Sequence, residues 1–247
     1  MCIRDRDGIA DAPLAGITIT LRDAAGNIID TAVTDAEGKY DFIDLPAGDY
    51  IVEQTQPALY ADVSDFDESP DGDAGDGNTA TDNTITVTTV ANEADMDNDF
   101  VEVLLTSIWG DVTQDIDQDG TGESPISGDT ITLSDAAGNV LDTQVTDADG
   151  KYDFINLLPG TYIVEETQPA DFLDVSDFDE SPDGDAGDND TTTDNAITVT
   201  TTPGEADMDN DFVEEGLTSI WGDVTDCLLY TSPSPRDATL SRMPSSA

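Results

Sequence analysis

The sequence predicts an all-β protein, a tandem array of β-sandwich modules with acidic loops, and three observations lead there. Short runs alternate apolar and polar residues, as in Ile17-Thr18-Ile19-Thr20-Leu21 and Tyr50-Ile51-Val52-Glu53, and are bounded by Gly, Pro and Asp. That period of two is the mark of half-buried strands. Nothing in the chain carries a helical period. The pattern also recurs: Tyr40-Asp41-Phe42-Ile43 returns as Tyr152-Asp153-Phe154-Ile155, and the run from Asp62 to Glu68 returns from Asp174 to Glu180, both at an offset of 112 residues. Such a period exceeds a solenoid unit and suits a bead with its own core.

The offset sets the domain organisation. Copy two, residues 104–215, is complete, whereas copy one, residues 7–103, has no counterpart of the Ile108-Trp109 strand and is expected to be the less stable. A third copy begins at residues 216–225, where Leu217 to Thr225 repeats Leu105 to Thr113. Residues 1–6 and 226–247 break both the repeat and the acidic composition. They resemble translated sequencing-adapter read-through and are read as non-native scars at the ends of a fragment.

Within copy two the expected strands, in order, are 107–112, 130–134, 140–146, 151–157, 161–167, 196–201 and 209–214, and seven short strands predict a sandwich. Ile108 and Trp109 make the first apolar, with Trp109 expected to plug one end of the core. Alternation turns Ile131 and Leu133 inward on the second, Tyr152 and Phe154 on the fourth, and Tyr162 and Val164 on the fifth. Between them, Ala137-Gly138-Asn139 and Asp149-Gly150 supply residues tolerant of positive φ, and Pro159-Gly160 makes a corner.

A chain of 247 residues that is 37% apolar supports two modest cores better than one large one. Fifty-six acidic against seven basic residues leave a formal charge of -49, which excludes a nucleic-acid or anionic-membrane surface and makes cations the expected partners. There is no histidine, and the two cysteines, Cys2 and Cys227, lie near the ends, so neither a zinc site nor an internal disulfide framework is expected. No apolar run reaches the ~18 residues of a membrane span.

Two acidic segments carry candidate chemistry. In Asp115-Ile116-Asp117-Gln118-Asp119-Gly120-Thr121-Gly122-Glu123 the carboxylates fall at every second position, followed by a Gly that allows a sharp turn and a later Glu. One short loop of this kind wraps oxygen ligands around a hard cation such as calcium. Asp115, Asp117, Asp119 and Glu123 are the expected side-chain ligands, with the Thr121 carbonyl a further one. Crowding these charges without a counter-ion costs several kcal/mol. The second segment runs from Asp177 to Asp188 and recurs from Asp65 to Asp76. It reads as a long crossing loop, in which Asp177, Asp179, Asp183 and Asp185 are less diagnostic metal ligands and metal binding and simple solvation stand level. Asp147 and Asp149 read equally well as turn residues.

The run from Thr146 to Phe154, Thr-Asp-Ala-Asp-Gly-Lys-Tyr-Asp-Phe, followed by Leu158-Pro159-Gly160-Thr161-Tyr162-Ile163-Val164-Glu165, resembles the B-type modules of serine-aspartate-repeat surface proteins, relatives of the collagen-adhesin B domain. The resemblance covers both copies. It implies Ig-like, prealbumin-like β-sandwich repeats that form calcium-binding rods between an adhesive head and the cell wall. It assigns Asp115, Asp117, Asp119 and Glu123 as metal ligands, although the loop is about three residues shorter before Pro125. Some relatives form a Lys-Asn isopeptide bond assisted by an acid, and Glu165 sits where that acid belongs. The only lysines, Lys39 and Lys151, follow turn glycines and are not on a first strand, so no isopeptide is expected.

The functional expectation is therefore a non-catalytic spacer or stalk of a secreted bacterial surface adhesin, extracellular and rigidified by calcium, in contact with neighbouring repeats. The rival reading makes the modules themselves adhesive toward a host or neighbouring-cell protein or glycan, which calls for an exposed aromatic cluster. An enzyme would have to use paired carboxylates such as Asp177 and Asp179, which lie among further charges with nothing to raise one pKa. Pure salt adaptation, with hydrated acids and no bound ion, does not account for the Asp115 to Glu123 spacing.

Overall fold

The computed structural model describes residues 12–67, 81–91, 95, 98–179 and 193–224. Among these there are strands and no helix. Copy one contains β1 (Thr18–Asp23), β2 (Ile28–Val33), β3 (Gly48–Gln54), β4 (Tyr60–Asp67), β5 (Thr84–Thr89) and β6 (Asn98–Leu104). Copy two contains β7 (Thr106–Asp115), β8 (Ser124–Pro125), β9 (Thr130–Asp135), β10 (Val140–Val145), β11 (Lys151–Leu157), β12 (Gly160–Glu166), β13 (Phe172–Asp179), β14 (Ala196–Thr201), β15 (Ala206–Asp207) and β16 (Asn210–Gly216).

Copy two closes as two sheets. The first has the order β10-β9-β12-β14, and the second the order β11-β7-β16-β13, with β8 and β15 attached to β7. Because successive side chains on a strand point to opposite faces, each sheet offers the other one apolar face. Ile131, Leu133, Val164, Ile197 and Val199 come from the first sheet, and Ile108, Val112, Tyr152, Phe154 and Phe212 from the second. The inward faces expected from alternation are observed: Ile131, Leu133, Tyr152, Phe154, Tyr162 and Val164 are all buried. Gly138 and Gly150 adopt the positive φ that their turns need, at 82° and 76°.

Copy one repeats the first sheet in full, as β2-β1-β3-β5, but its second sheet is only the β4-β6 pair. Its buried core is Ile19, Leu21, Tyr50, Val52, Ile85 and Val87, all from the first sheet, and Tyr40, Phe42 and Phe100 are only partly covered. Among the described residues no strand stands where β7 stands in copy two. Residues 39–45, which correspond to β11, form no strand.

Two expectations are corrected. Trp109 does not plug the core: it is 42% exposed, and its indole N–H donates to Ser107 Oγ at 2.8 Å. The strand period is the reason, since Ile108 takes the inward place at 0% exposure and Trp109 must face out. Asp177 and Asp179 do not lie in a crossing loop, because both are in β13, which pairs with β16 from Phe172↔Gly216 to Asp179↔Asn210. The Asp-rich composition of β13 hides it from a propensity argument. Truncating Trp109→Ala is expected to cost less than ~1 kcal/mol, as for surface positions generally. A loss in chemical denaturation comparable to a core truncation would restore the plug.

Candidate metal centre

The Asp115 to Glu123 segment is a hairpin between β7 and β8. β8 pairs back on β7 through Thr113↔Pro125 and Gln114↔Ser124, and the Glu123 N–H donates to the Gln114 carbonyl at 2.9 Å. The tip turns through positive φ at Gln118 (67°) and Gly120 (88°). Gly122 is needed for space, since a Cβ there would meet Thr113 Oγ1 at 1.8 Å. The alternate carboxylates of this tight hairpin turn toward one another, with Asp115 buried and Asp117, Asp119 and Glu123 exposed.

The structure brings four predicted side-chain ligands together. One carboxylate oxygen from each of Asp115, Asp117, Asp119 and Glu123 lies within 4.8 Å of all the others. Asp115 anchors the group: it is buried, and its two oxygens accept the N–H groups of Gln118 at 2.7 Å and Gly120 at 2.9 Å. Glu123 Oε2 accepts the Ile116 N–H at 2.7 Å, and Asp119 Oδ1 accepts the Thr121 N–H at 2.9 Å. Gln118 also hydrogen-bonds through its side-chain amide to Glu215, near the end of β16.

Of the second segment's predicted ligands, only the side chain of Asp177 is among the described residues. Asp177 is fully buried, with one oxygen accepting the Asp194 N–H at 3.0 Å. Burial, and then the Asp174 charge, push its carboxyl up to about 7. Its copy-one counterpart Asp65 likewise accepts the N–H groups of Asp82 and Thr84, both at 3.2 Å. The residue thus tethers the far side of the loop in both copies. Asp183, Asp185 and the side chain of Asp179 lie outside the described residues, as do residues 1–11 and 225–247. Asp147 is a turn residue: its carboxylate accepts the N–H groups of Asp149 at 2.8 Å and Lys151 at 2.9 Å, which holds its pKa below the usual carboxylate value.

A third acidic group was not visible in the sequence. Asp129, Glu166 and Glu214 come from three separate strand regions and are all buried. Glu165, placed by resemblance at the assisting-acid position, is exposed, and the acid turned into the interior is its neighbour Glu166. Both Glu166 oxygens, Asp129 Oδ2 and Glu214 Oε1 lack a hydrogen-bond donor when all three groups are ionised. Burial foremost, with the charges of Glu214 and Asp129, pushes the Glu166 carboxyl far up, to about 11, so it holds a proton at neutral pH. Lys151 does not approach this group: it pairs with Asp111 at 3.1 Å on the sheet edge.

Residues 4–101 and 106–214 each match the SdrD B-like domain, which accounts for both copies and most of the chain. The chain belongs to the SdrD B-like domain family. It is 36% identical over 231 residues to serine-aspartate repeat-containing protein D of Staphylococcus aureus (strain Newman), covering 86% of this chain and 16% of that protein. To serine-aspartate repeat-containing protein F of Staphylococcus epidermidis it is 36% identical over 174 residues, covering 67% of this chain and 10% of the relative. The chain therefore spans only a small part of the curated relatives that it matches. Among solved structures it is similar to GBS52, the minor pilin of Streptococcus agalactiae (TM-score 0.35, 14% identity, 87% of this chain and 88% of that one). The Bacillus anthracis TIE protein gives a TM-score of 0.35 at 15% identity, over 83% of this chain and 31% of that one. SdrD B-like domains are structural repeats, and the chain is not an enzyme.

Proposed function

We propose that these SdrD B-like modules are spacer repeats of an extracellular, cell-surface adhesin, and that calcium bound by Asp115, Asp117, Asp119 and Glu123 stiffens them. The convergence of four carboxylates within 4.8 Å supports this reading. Oxygens bound to one calcium at about 2.3–2.6 Å are at most about 5 Å apart, so the donor set fits that ion in both chemistry and spacing. A cation there ties the end of β7 to β8. Through the Gln118–Glu215 hydrogen bond it also braces the last residues of β16, where the module hands over to the next repeat. Stiffness at that point is what a stalk of successive beads needs, and the partners of the modules are then calcium and neighbouring repeats.

Extracellular calcium modules bind at roughly 10⁻⁴ to 10⁻³ M, and a free ion at about a hundred times its dissociation constant adds ~2.7 kcal/mol per site. Calcium is therefore expected to raise the melting temperature of copy two and its resistance to protease. The double variant Asp117→Ala with Asp119→Ala is expected to remove most of that gain. If chelation changes neither quantity at constant ionic strength, or sodium chloride reproduces the calcium effect, the loop is a hydrated surface and the stiffening mechanism fails.

A further inference from the structure

We infer that the interior of copy two holds a second cation site, for a dehydrated calcium ion, built from Glu166, Glu214, Asp129 and the side-chain carbonyl of Asn195. It shares no residue with the Asp115 to Glu123 hairpin. The two copies differ at equivalent positions in a way that calls for it. In copy one the place of Glu166 is taken by Gln54, and that of Asp129 by Ile17. The Gln54 side-chain amide donates to Glu102 Oε1 and, at 3.4 Å, to Asn83 Oδ1. Gln56 Nε2 donates to Glu102 Oε2 at 2.6 Å. Both oxygens of Glu102, the counterpart of Glu214, are thus satisfied by neutral amides.

Copy two keeps the acceptors and replaces a donor. The Gln168 side-chain amide still donates to Glu214 Oε2. Glu214 Oε1 and Asn195 Oδ1, the counterparts of the two oxygens that Gln54 serves, are buried without a donor. Both oxygens of Glu166 and Asp129 Oδ2 are in the same condition. Asn195 is held beside Glu166 as Asn83 is beside Gln54, the N–H of residue 166 or 54 donating to the asparagine carbonyl at 2.9 Å. The Glu166 carboxyl lies within hydrogen-bonding reach of both Asp129 and Glu214. Glu166 is 6% exposed, Glu214 0% and Asp129 7%.

Carboxylates taken this far out of water need a counter-charge. With divalent cations removed, a proton on Glu166 supplies it. A divalent cation placed where copy one has its amide nitrogen supplies more. The donors are all oxygens, which suits a hard cation, and the enclosure disfavours magnesium, which keeps several waters, whereas calcium accepts irregular sets of protein oxygens. Because the ion must displace a proton, its net stabilisation is smaller than the hairpin's. The part of the calcium effect that survives Asp117→Ala with Asp119→Ala belongs to this site.

Calorimetric titration of the full chain in ~0.15 M sodium chloride, where exposed charges are screened, counts the ions. The chain carrying Asp117→Ala and Asp119→Ala is expected still to bind calcium, and adding Glu166→Gln, which restores the copy-one amide, is expected to remove one ion. Glu166→Gln alone is expected to lose the same ion, keep the hairpin site, and melt no lower than the parent when divalent cations are absent, so that the loss is not unfolding. Europium bound in place of calcium is expected to show, by its luminescence decay in water and heavy water, an ion stripped of most of its waters, which disappears in Glu166→Gln. Equal ion counts with and without Glu166→Gln overturn the proposal, as do uptake of magnesium or sodium at the same place and a europium signal that is fully hydrated. Loss of all calcium binding in the hairpin variant overturns it too, whereas a hairpin variant that binds as the parent does sinks the hairpin reading and supports this one.

Discussion

Replacing Gly110 by alanine is expected to cost copy two about 3 kcal/mol or more, at or above the upper end of what overpacking usually costs in a packed interior. Gly110 lies in the middle of β7, and a Cβ there would stand 1.9 Å from the Asn210 carbonyl oxygen and 2.5 Å from the Tyr152 hydroxyl. A flexible side chain could swing aside, but a carbonyl belonging to the β16 backbone cannot. Relief requires β7 and β16 to part, and their separation exposes Ile108, Val112 and Phe212, all at 0% exposure. Since a domain of this size has roughly 5–15 kcal/mol of total stability, the variant should lose a large share of it. Gly160→Ala serves as the control, because its Cβ would meet nothing closer than 3.9 Å. Urea or guanidinium unfolding of copy two measures both. Equal midpoints for Gly110→Ala and the parent would show that the β7–β16 contact is looser than described.

Copy two, held free of divalent cations, should lose about 3 kcal/mol of stability between pH 5 and pH 8, from one proton worth ~1.4 kcal/mol per pH unit at most. The cause is the buried group of Asp129, Glu166 and Glu214. Glu166 is raised from 4.5 to about 11, and Glu214 is also raised, in both cases first by burial. The folded state thus keeps a proton that the unfolded chain gives up. Its contribution is complete below about 4.5 and shrinks as the pH climbs toward 11. Asp211, raised to about 6, and Asp177, raised to about 7, act in the same direction. Asp135 and Asp147 have lowered pKa values, so their opposite contribution changes only in acid below 3.8 and does not enter this window. Glu166→Gln carries a permanent donor and is expected to flatten the slope and raise stability at pH 8. Thermal melts at several pH values decide it: stability that rises from pH 5 to 8, or a slope unchanged in Glu166→Gln, means that the three carboxyls do not share a proton.

Much of the fold was legible because its signals are local. The alternation in Thr130–Asp135 and Gly160–Glu166 assigns faces without knowledge of any partner strand, and those assignments hold for Ile131, Leu133, Tyr162 and Val164. The hairpin around Gly120 is equally local: alternate carboxylates and two glycines sit in one short stretch, so their convergence follows from how so short a loop closes. What escaped was of another kind. β13 has too many aspartates to look like a strand and exists because β16 lies beside it in register. Trp109 faces out because Ile108, the residue before it, takes the inward place by period.

The sequence by itself determined the all-β class, the repeat of 112 residues, the inward face of most strands and the composition of the Asp115 to Glu123 loop, since each depends on residues near one another in the chain. Only the tertiary structure decided which acids are buried. Asp177 is enclosed because β13 lies against the sheet with its tether to Asp194, and Glu166 meets Asp129 and Glu214 because strands distant in sequence end at one place. The physical reason is common to these cases. Strand periodicity is a property of the backbone and is written residue by residue, whereas the desolvation of a carboxylate and the completion of a ladder depend on what packs alongside.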